Sequence, residues 1–193
     1  MTATLNARLC ASLRRLRTDE AASQLVEFAV ALPLLAVFVV GIFDFSGAFT
    51  LKQKLVNAAR EGARAAAADP ANDLGNSVPA SITDALWVID NYLTSEKIND
   101  CGVTTATPTT SQLSWFYSAN GNGCPGNGLR IAINRACVAN RTVNGTAVDI
   151  VGTCVTIRYS YQWRFNSVIT LLVPATYQGI TDLTASAGSL NEN

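Results

Sequence analysis

The feature that most constrains this chain is an apolar run with a single carboxylate directly before it. The run covers Phe28–Phe43, with Glu27 in front of it and Asp44 at its end. A helix that is apolar on every side needs lipid or a protein core around it. A bilayer span takes about 20 predominantly apolar residues, and the segment 25–51 is long enough. The sequence therefore predicts one transmembrane helix.

Two other interpretations of this run are a buried core helix and a secretory signal peptide. Sixteen consecutive apolar residues cover the whole circumference of a helix, which is more than one buried face requires. A signal peptide is disfavoured because the run starts late, contains Pro33, and has no A-x-A cleavage site at its end. We therefore expect a membrane anchor.

The charges that flank the run predict its orientation. Four arginines precede it: Arg8, Arg14, Arg15 and Arg17. Four basic residues follow it, which weakens the asymmetry: Lys52, Lys54, Arg60 and Arg64. Because positively charged flanks tend to stay in the cytoplasm, we expect a cytoplasmic N-terminus and an extracytoplasmic C-terminal part.

An even number of cysteines lies beyond the run: Cys101, Cys124, Cys137 and Cys154. This usage is typical of disulfides in an oxidising compartment, and four cysteines allow three pairings. Zinc is the competing interpretation. The chain has no histidine and no C-x-x-C motif, so we expect neither a metal site nor a cofactor.

The predicted hairpin favours one of the three pairings. Asn144–Gly145 is a strong signal for a two-residue turn. With that turn, Cys154 faces Arg135, and Cys137 lies diagonal to Cys154 on the same face of the sheet. Given a bulge or a slip, a bridge between these two cysteines is geometrically compatible. Cys101–Cys124 then follows by elimination.

The hydrophobic periodicity predicts an α+β fold. The expected elements are a helix from about 19 to 68 containing Pro33, a second helix from 79 or 80 to 94, a loop over 99–127, strands over 129–138, 154–163 and 180–187, a hairpin over 142–148, and a short helix or edge segment over 168–173. Beyond the membrane the first helix carries a stripe of mostly small residues, Leu51, Leu55, Ala59, Ala63 and Ala66. Gly62, with Ala58 and Ala66, should allow close helix–helix packing.

These elements predict three parts: a cytoplasmic leader over 1–22, a transmembrane and extended helix over 23–68, and an extracytoplasmic α+β head over 69–193. The head should contain the second helix and a small antiparallel β-sheet.

Several function classes are disfavoured by what the chain lacks. Lys+Arg and Asp+Glu each number 14, and no basic stripe follows the anchor, so nucleic acid is not an expected partner. Ser-His-Asp and Cys-His catalysis are excluded because there is no histidine. No glycine-rich phosphate loop is present. Asp149 and Asp182 are isolated carboxylates and are expected to be solvated or capping residues, so we do not expect an enzyme.

Three segments carry a resemblance to a known family. They are VEFAVALPLL from Val26, GIFDF from Gly41, and NAAREGAR from Asn57. Together they resemble the TadE-like family, which consists of minor pilins or pseudopilins of the tight-adherence (Flp) branch of type IV pilus systems. The ending LTASA from Leu183 is similar to the last strand of that family. The N-terminal resemblance covers roughly a third of the chain.

The resemblance implies processing by a membrane prepilin peptidase on the cytoplasmic side. The family motif is a glycine, then four residues, then Glu-Phe, here Glu27 and Phe28. Counting back places the cleaved bond between Ala22 and Ser23, with alanine where the family usually has glycine. Cleavage there would create an α-amine at Ser23, with which Glu27 of a neighbouring subunit can pair, and this role is favoured mostly by the resemblance. The alternative is a Glu27 carboxylate that simply extends to the lipid headgroups. Pro33 lies in the resembling segment that begins at Val26, and it is a further candidate for assembly or processing.

The resulting functional expectation is a minor pilin-like subunit that takes part in Flp pilus assembly, surface adhesion or secretion. Its expected partners are the bacterial inner membrane, other pilin-like subunits, the pilus assembly machinery and the prepilin peptidase, and a place in a surface pilus is one option. The alternative is a single-pass, membrane-anchored binding or adhesin module outside any filament. Residues 115–117, Trp-Phe-Tyr, would then form an adhesive tip, or they fill the core of the head.

Overall fold

The structure is a computed structural model, and it describes residues 20–70, 72, 74–75, 77–143, 146–165 and 179–191. Most of the expected leader, the predicted segment 168–173 and the Asn144–Gly145 turn lie outside the described residues. The elements are helices α1 (Glu20–Ala68) and α2 (Ala80–Ser95), a 3-10 turn (Val103–Thr105), and strands β1 (Thr109–Ser111), β2 (Ser114–Ala119), β3 (Leu129–Val143), β4 (Thr146–Gln162) and β5 (Ile180–Leu190). The predicted α+β class is confirmed.

The chain divides into two compact units, one ending at Asp44 and one beginning at Phe45. Helix α1 is continuous across this boundary. The second unit contains the last part of α1, helix α2 and the whole sheet.

Small residues let α1 and α2 approach closely. Leu55, Ala59, Ala63 and Ala66 of the predicted stripe are fully inaccessible, and Leu51 is partly buried. A Cβ atom added at Gly62 would lie 2.5 Å from both Cγ1 and Cδ1 of Ile89 on α2. No side chain fits there without displacing that isoleucine, so the predicted close packing at Gly62 is confirmed.

Helix α2 presents one apolar face to the core. It begins after Pro79, whose extended backbone (φ −64°, ψ 156°) suits the position before a helix. The predicted i, i+3, i+4 face is buried: Ile82, Leu86, Ile89 and Leu93. The predicted bounds of this helix are confirmed to within one residue.

The sheet is an antiparallel meander with the order β1-β2-β3-β4-β5. Alternate residues of its strands point to the helices, as in β3, where Leu129, Ile131 and Ile133 are buried and the residues between them are partly exposed. A single cluster of buried residues combines this face of β2–β5 with α1 and α2. The core is therefore one helix layer on one sheet face.

The prediction of an unbroken loop over 99–127 is wrong. That segment contains the 3-10 turn and the β1–β2 hairpin, in which Ser111 pairs with Ser114. Trp115 and Tyr117 are buried in the core, whereas Phe116 between them is 45% exposed. Three adjacent aromatic residues hide the period-two pattern, and their Thr, Ser, Gly and Asn neighbours resemble a loop. Trp115 Nε1 donates to Ser77 O at 2.9 Å, so this buried side chain is satisfied.

A β-bulge sets the register of β3 and β4. Cys154 pairs with Asn134 and Cys137 pairs with Gly152, which leaves two residues of β3 opposite Thr153. The expectation that Cys154 faces Arg135 is therefore wrong by one residue. The difference comes from the extra residue of the bulge. The disulfide between Cys137 and Cys154 spans the bulge, with a Cα–Cα distance of 5.6 Å.

Arg135 lies in the same bulge and continues the inward-facing row of Leu129, Ile131 and Ile133, and it is 2% exposed. Its Nη2 donates to the Asp69 carbonyl oxygen at 3.0 Å, directly after the last residue of α1. The last turn of α1 contains no basic residue. Arg135 therefore brings positive charge from the sheet to the carbonyl end of the helix, where it is favourable.

The second disulfide joins Cys101 to Cys124 and closes a loop with a sequence separation of 23. A backbone hydrogen bond from Gly121 N to Cys101 O at 2.9 Å also joins the two segments, and one from Cys124 N to Gly121 O at 3.1 Å closes the turn that contains Cys124. Both disulfides match the pairing that the spacing favoured. Cys101–Cys124 joins the segment after α2 to the segment after β2, and Cys137–Cys154 joins β3 to β4.

Two carboxyl groups lie close together near the end of α2. Burial raises the pKa of Asp90, and the charge of Asp100 and a hydrogen bond with its side chain raise it further. One Asp90 oxygen is buried with no hydrogen-bond partner among the described residues. The ionised form of Asp90 is therefore disfavoured in the folded head.

We predict that Gly62→Ala destabilises the head. Overpacking a filled contact costs about 1–3 kcal/mol, which outweighs the gain of about 1 kcal/mol in helix propensity. Urea unfolding of the detergent-solubilised protein, followed by tryptophan fluorescence, measures the change. Gly41→Ala is the matched control on the same helix, because a Cβ there meets nothing within 4 Å. Ile89→Ala should reduce the effect of Gly62→Ala, and strict additivity of the two changes would contradict this explanation.

We predict that Asp90→Asn raises the melting temperature at pH 7. Because the folded-state pKa is raised, Asp90 favours folding only while it is protonated, and that contribution is lost as pH rises above the ordinary value of 3.8 through the raised pKa. The advantage of the variant should therefore vanish below about pH 3.8. Melting curves across this range test it, with Asp84→Asn, an exposed carboxylate on α2, as the control of equal charge. Equal gains from both variants would contradict a local cause.

Candidate functional site

The N-terminal half of α1 exposes apolar side chains on all sides. These side chains are half to two-thirds exposed: Leu25, Val26, Phe28, Val30, Leu32, Leu34, Leu35 and Phe38. Ser23–Ala68 is long and apolar enough to cross a membrane, with a mean hydropathy of 2.6 in its most apolar window, none of which is buried. Such a surface needs lipid or other apolar helices around it.

Glu27 is the one carboxylate within this surface between Ser23 and Phe43. Its side chain is exposed, and Phe28 beside it is exposed as well. Ser23 lies four residues earlier on the same helix, and residues at this spacing share a helix face. A positive charge at position 23 would therefore lie one turn from the Glu27 carboxylate.

Pro33 lies inside α1, six residues after Glu27. Its missing N–H removes the usual hydrogen bond to the carbonyl of Ala29, and its ring crowds that carbonyl. The helix assignment nevertheless continues through this position. In lipid, a freed carbonyl needs a compensating neighbour, and adjacent helices can provide one.

The Ala22–Ser23 peptide bond lies in α1, close to Glu20, the first residue that the structure describes. The five candidates for processing and assembly all lie on one short stretch of helix: Ala22, Ser23, Glu27, Phe28 and Pro33.

The four candidate cysteines lie in the other unit and form the two disulfides of the head. Their thiols are therefore unavailable as metal ligands. Among the residues that the structure describes, no group of three or more His, Cys, Asp and Glu side chains could hold a metal ion. The apolar helix and the disulfide-bonded head indicate a membrane-anchored protein with an extracytoplasmic domain.

The outer face of the sheet carries polar residues that the sequence did not single out. Asp182 forms an ion pair with Arg130, and the Ser160 hydroxyl donates to its other carboxylate oxygen at 2.7 Å. Asp182 is isolated in the sequence, but the β4–β5 register places it opposite Ser160. Arg158 pairs directly with Arg130 across β3 and β4. Period-two spacing along each strand was the available signal, but the register between strands was needed to bring these residues together.

Comparison with protein families agrees with the described helix. The TadE-like protein family model matches residues 22–64, from the residue before Ser23 to the small-residue part of α1. Comparisons with curated proteins and with solved structures found no match. The matched segment includes Glu27, Phe28, Pro33 and Gly62. The chain therefore contains a TadE-like family domain over residues 22–64 of its long N-terminal helix.

Proposed function

We propose that this protein is a minor pilin-like subunit of a tight-adherence (Flp) type IV pilus system. In this proposal, it is a single-pass protein of the bacterial inner membrane with a cytoplasmic N-terminus, and it takes part in pilus assembly, surface adhesion or secretion. The observation that carries the proposal is the TadE-like match on an exposed apolar helix that contains Glu27. The family association extends to the pilus machinery in general, and it favours a structural role over an enzymatic one.

Glu27 supplies a physical reason for assembly. A carboxylate in the apolar part of a membrane costs up to about 2.5–3.5 kcal/mol at the bilayer centre and less near the interface. Cleavage after Ala22 would create an α-amine at Ser23. The amine of one subunit can pair with Glu27 of the next, and this contact forms only in one register of two helices. A buried ion pair is chiefly a device for register, because its net stabilisation is small.

Processing would occur at the Ala22–Ser23 bond on the cytoplasmic side. The bond precedes Glu27 and the apolar run, so it lies at the cytoplasmic end of the proposed span. Alanine has a small side chain, which suits a site that usually holds glycine. The prepilin peptidase, neighbouring pilin-like subunits and the assembly machinery are the partners that this proposal requires.

A second candidate is a membrane-anchored binding or adhesin module outside any filament. It is favoured by one observation, the 45% exposure of Phe116 beside a pocket on the outer face of the sheet. The broader idea of an aromatic tip is weakened, because Trp115 and Tyr117 are committed to the core.

We predict that Glu27→Ala is inserted in the membrane but is recovered with filaments at a level reduced by about tenfold or more, since the intersubunit ion pair is lost. Membrane fractionation measures insertion, and immunoblotting of sheared filaments measures incorporation. Glu61→Ala is the control, because it removes the same charge from the same helix outside the apolar run. Normal incorporation of Glu27→Ala would refute the assembly role.

We predict that the mature chain begins at Ser23 when the cognate peptidase is present and at Met1 when it is absent. Intact mass and N-terminal sequencing of the membrane-extracted protein distinguish the two. Ala22→Gly should be processed at least as fast as the unchanged chain, whereas Ala22→Leu should be processed more slowly because its side chain is large. A Met1 start under all conditions would favour the anchored binding module.

A further inference from the structure

The outer face of the sheet contains a pocket with a volume of about 420 Å³. It lies over β2, β3 and β4, on the side of the sheet opposite the helices. Two neighbouring cross-strand rows line it: Thr109, Phe116, Ala132 and Thr156 form one row, and Ser118, Arg130 and Arg158 form the next. Ala132 is small and sits between Phe116 and Thr156, so it forms a low point between taller side chains. The volume falls within the usual range for small-molecule sites.

The pocket contains two arginines, and the described carboxylates neutralise the positive charge of one of them. Arg130 and Arg158 are direct cross-strand partners, and like charges in this position repel each other. Asp182 pairs with Arg130, and Ser160 holds Asp182 in place. Within the described part of the chain, no carboxylate forms an ion pair with the exposed Arg158. The pocket lining contains no acidic residue, so the site attracts a single negative charge.

The remaining lining combines one aromatic surface with hydroxyl groups. Phe116 is 45% exposed, although an aromatic side chain of this size usually gains from burial. Thr109 and Thr107 lie at the β1 side of the pocket, and Thr156 lies beyond Ala132. The Thr156 and Ser186 hydroxyls are 3.0 Å apart, which fixes the Thr156 side chain.

We propose that this pocket binds a carboxylated sugar ring, such as a hexuronic acid unit of a surface polysaccharide. The Arg158 guanidinium donates two hydrogen bonds to the carboxylate, in the bidentate geometry that arginine favours. The ring lies against Phe116 over Ala132, and its hydroxyls meet Thr109 and Thr156. A monoanionic ligand matches the single uncompensated charge. This inference goes beyond the assembly role and does not rest on it.

The test is a titration of the full-length protein in detergent micelles with sodium glucuronate at low ionic strength, followed by calorimetry or ligand-observed NMR. Glucose, which lacks the carboxylate, and acetate, which lacks the ring, are the matched probes. We expect glucuronate to bind more tightly than either probe by about tenfold or more, because only it uses both the charge and the aromatic surface.

Three variants locate the binding. Arg158→Gln should weaken glucuronate binding by about tenfold or more through the lost charged hydrogen bonds. Phe116→Ser should weaken the binding of glucuronate but not that of acetate. Arg60→Gln removes an exposed arginine from α1, away from the pocket, and should change nothing. Circular dichroism of each variant verifies that the head is folded.

Four results would overturn the proposal. They are the absence of saturable glucuronate binding by the folded protein, equal affinity for glucose and glucuronate, equal affinity for acetate and glucuronate with no effect of Phe116→Ser, and tighter binding of tetraglutamate than of a tetraglucuronate. The last result would assign the pocket to an acidic segment of a protein.

Discussion

The head depends on how closely α1 and α2 can approach each other. Gly62 leaves no space for a Cβ atom against Ile89, and fully buried alanines surround this contact on α1. Small residues let two helix backbones come together with dense packing and little side-chain entropy to lose. The pair then forms one layer that covers the apolar face of β2–β5. A larger residue at position 62 would separate the two helices and loosen the layer that the sheet rests on.

A single inserted residue in β3 links three other features of the head. The bulge opposite Thr153 changes the register by one, so that Cys154 pairs with Asn134 whereas Cys137, beyond the bulge, pairs with Gly152, and the disulfide spans the bulge. Arg135 lies in the bulge and faces inward, where its guanidinium donates to the Asp69 carbonyl at the end of α1. Deleting the extra residue would exchange the faces of the residues beyond it. The sheet register, the disulfide and the contact with the end of the long helix therefore meet at this one irregularity.

The sequence predicted those features that repeat with a regular period, and it failed where the period is interrupted. Both helices could be placed closely because apolar residues recur at helical spacing over many turns. The β1–β2 hairpin was missed because residues 115–117 are all aromatic and conceal which side chains face inward. Within the candidate site, the apolar helix that carries Glu27 could be predicted directly from the sequence. The grouping of Arg130, Arg158 and Asp182 could not, because it depends on the register of three strands and on the position of a bulge.

Glu27 and Arg158 are both charged residues without an ion-pair partner in the described part of the chain. The free-energy cost of the unpaired charge differs between them. An exposed arginine on the head is solvated, and an ion pair at such a position contributes about 0–1 kcal/mol. The Arg158 side chain is therefore stable in water without an ion-pair partner, and in the proposed site it binds an anionic ligand when one is present. A carboxylate in an apolar segment is penalised by as much as about 2.5–3.5 kcal/mol in lipid. In the proposed membrane setting, this difference in solvation favours a partner for Glu27, whereas the solvated Arg158 needs no ligand.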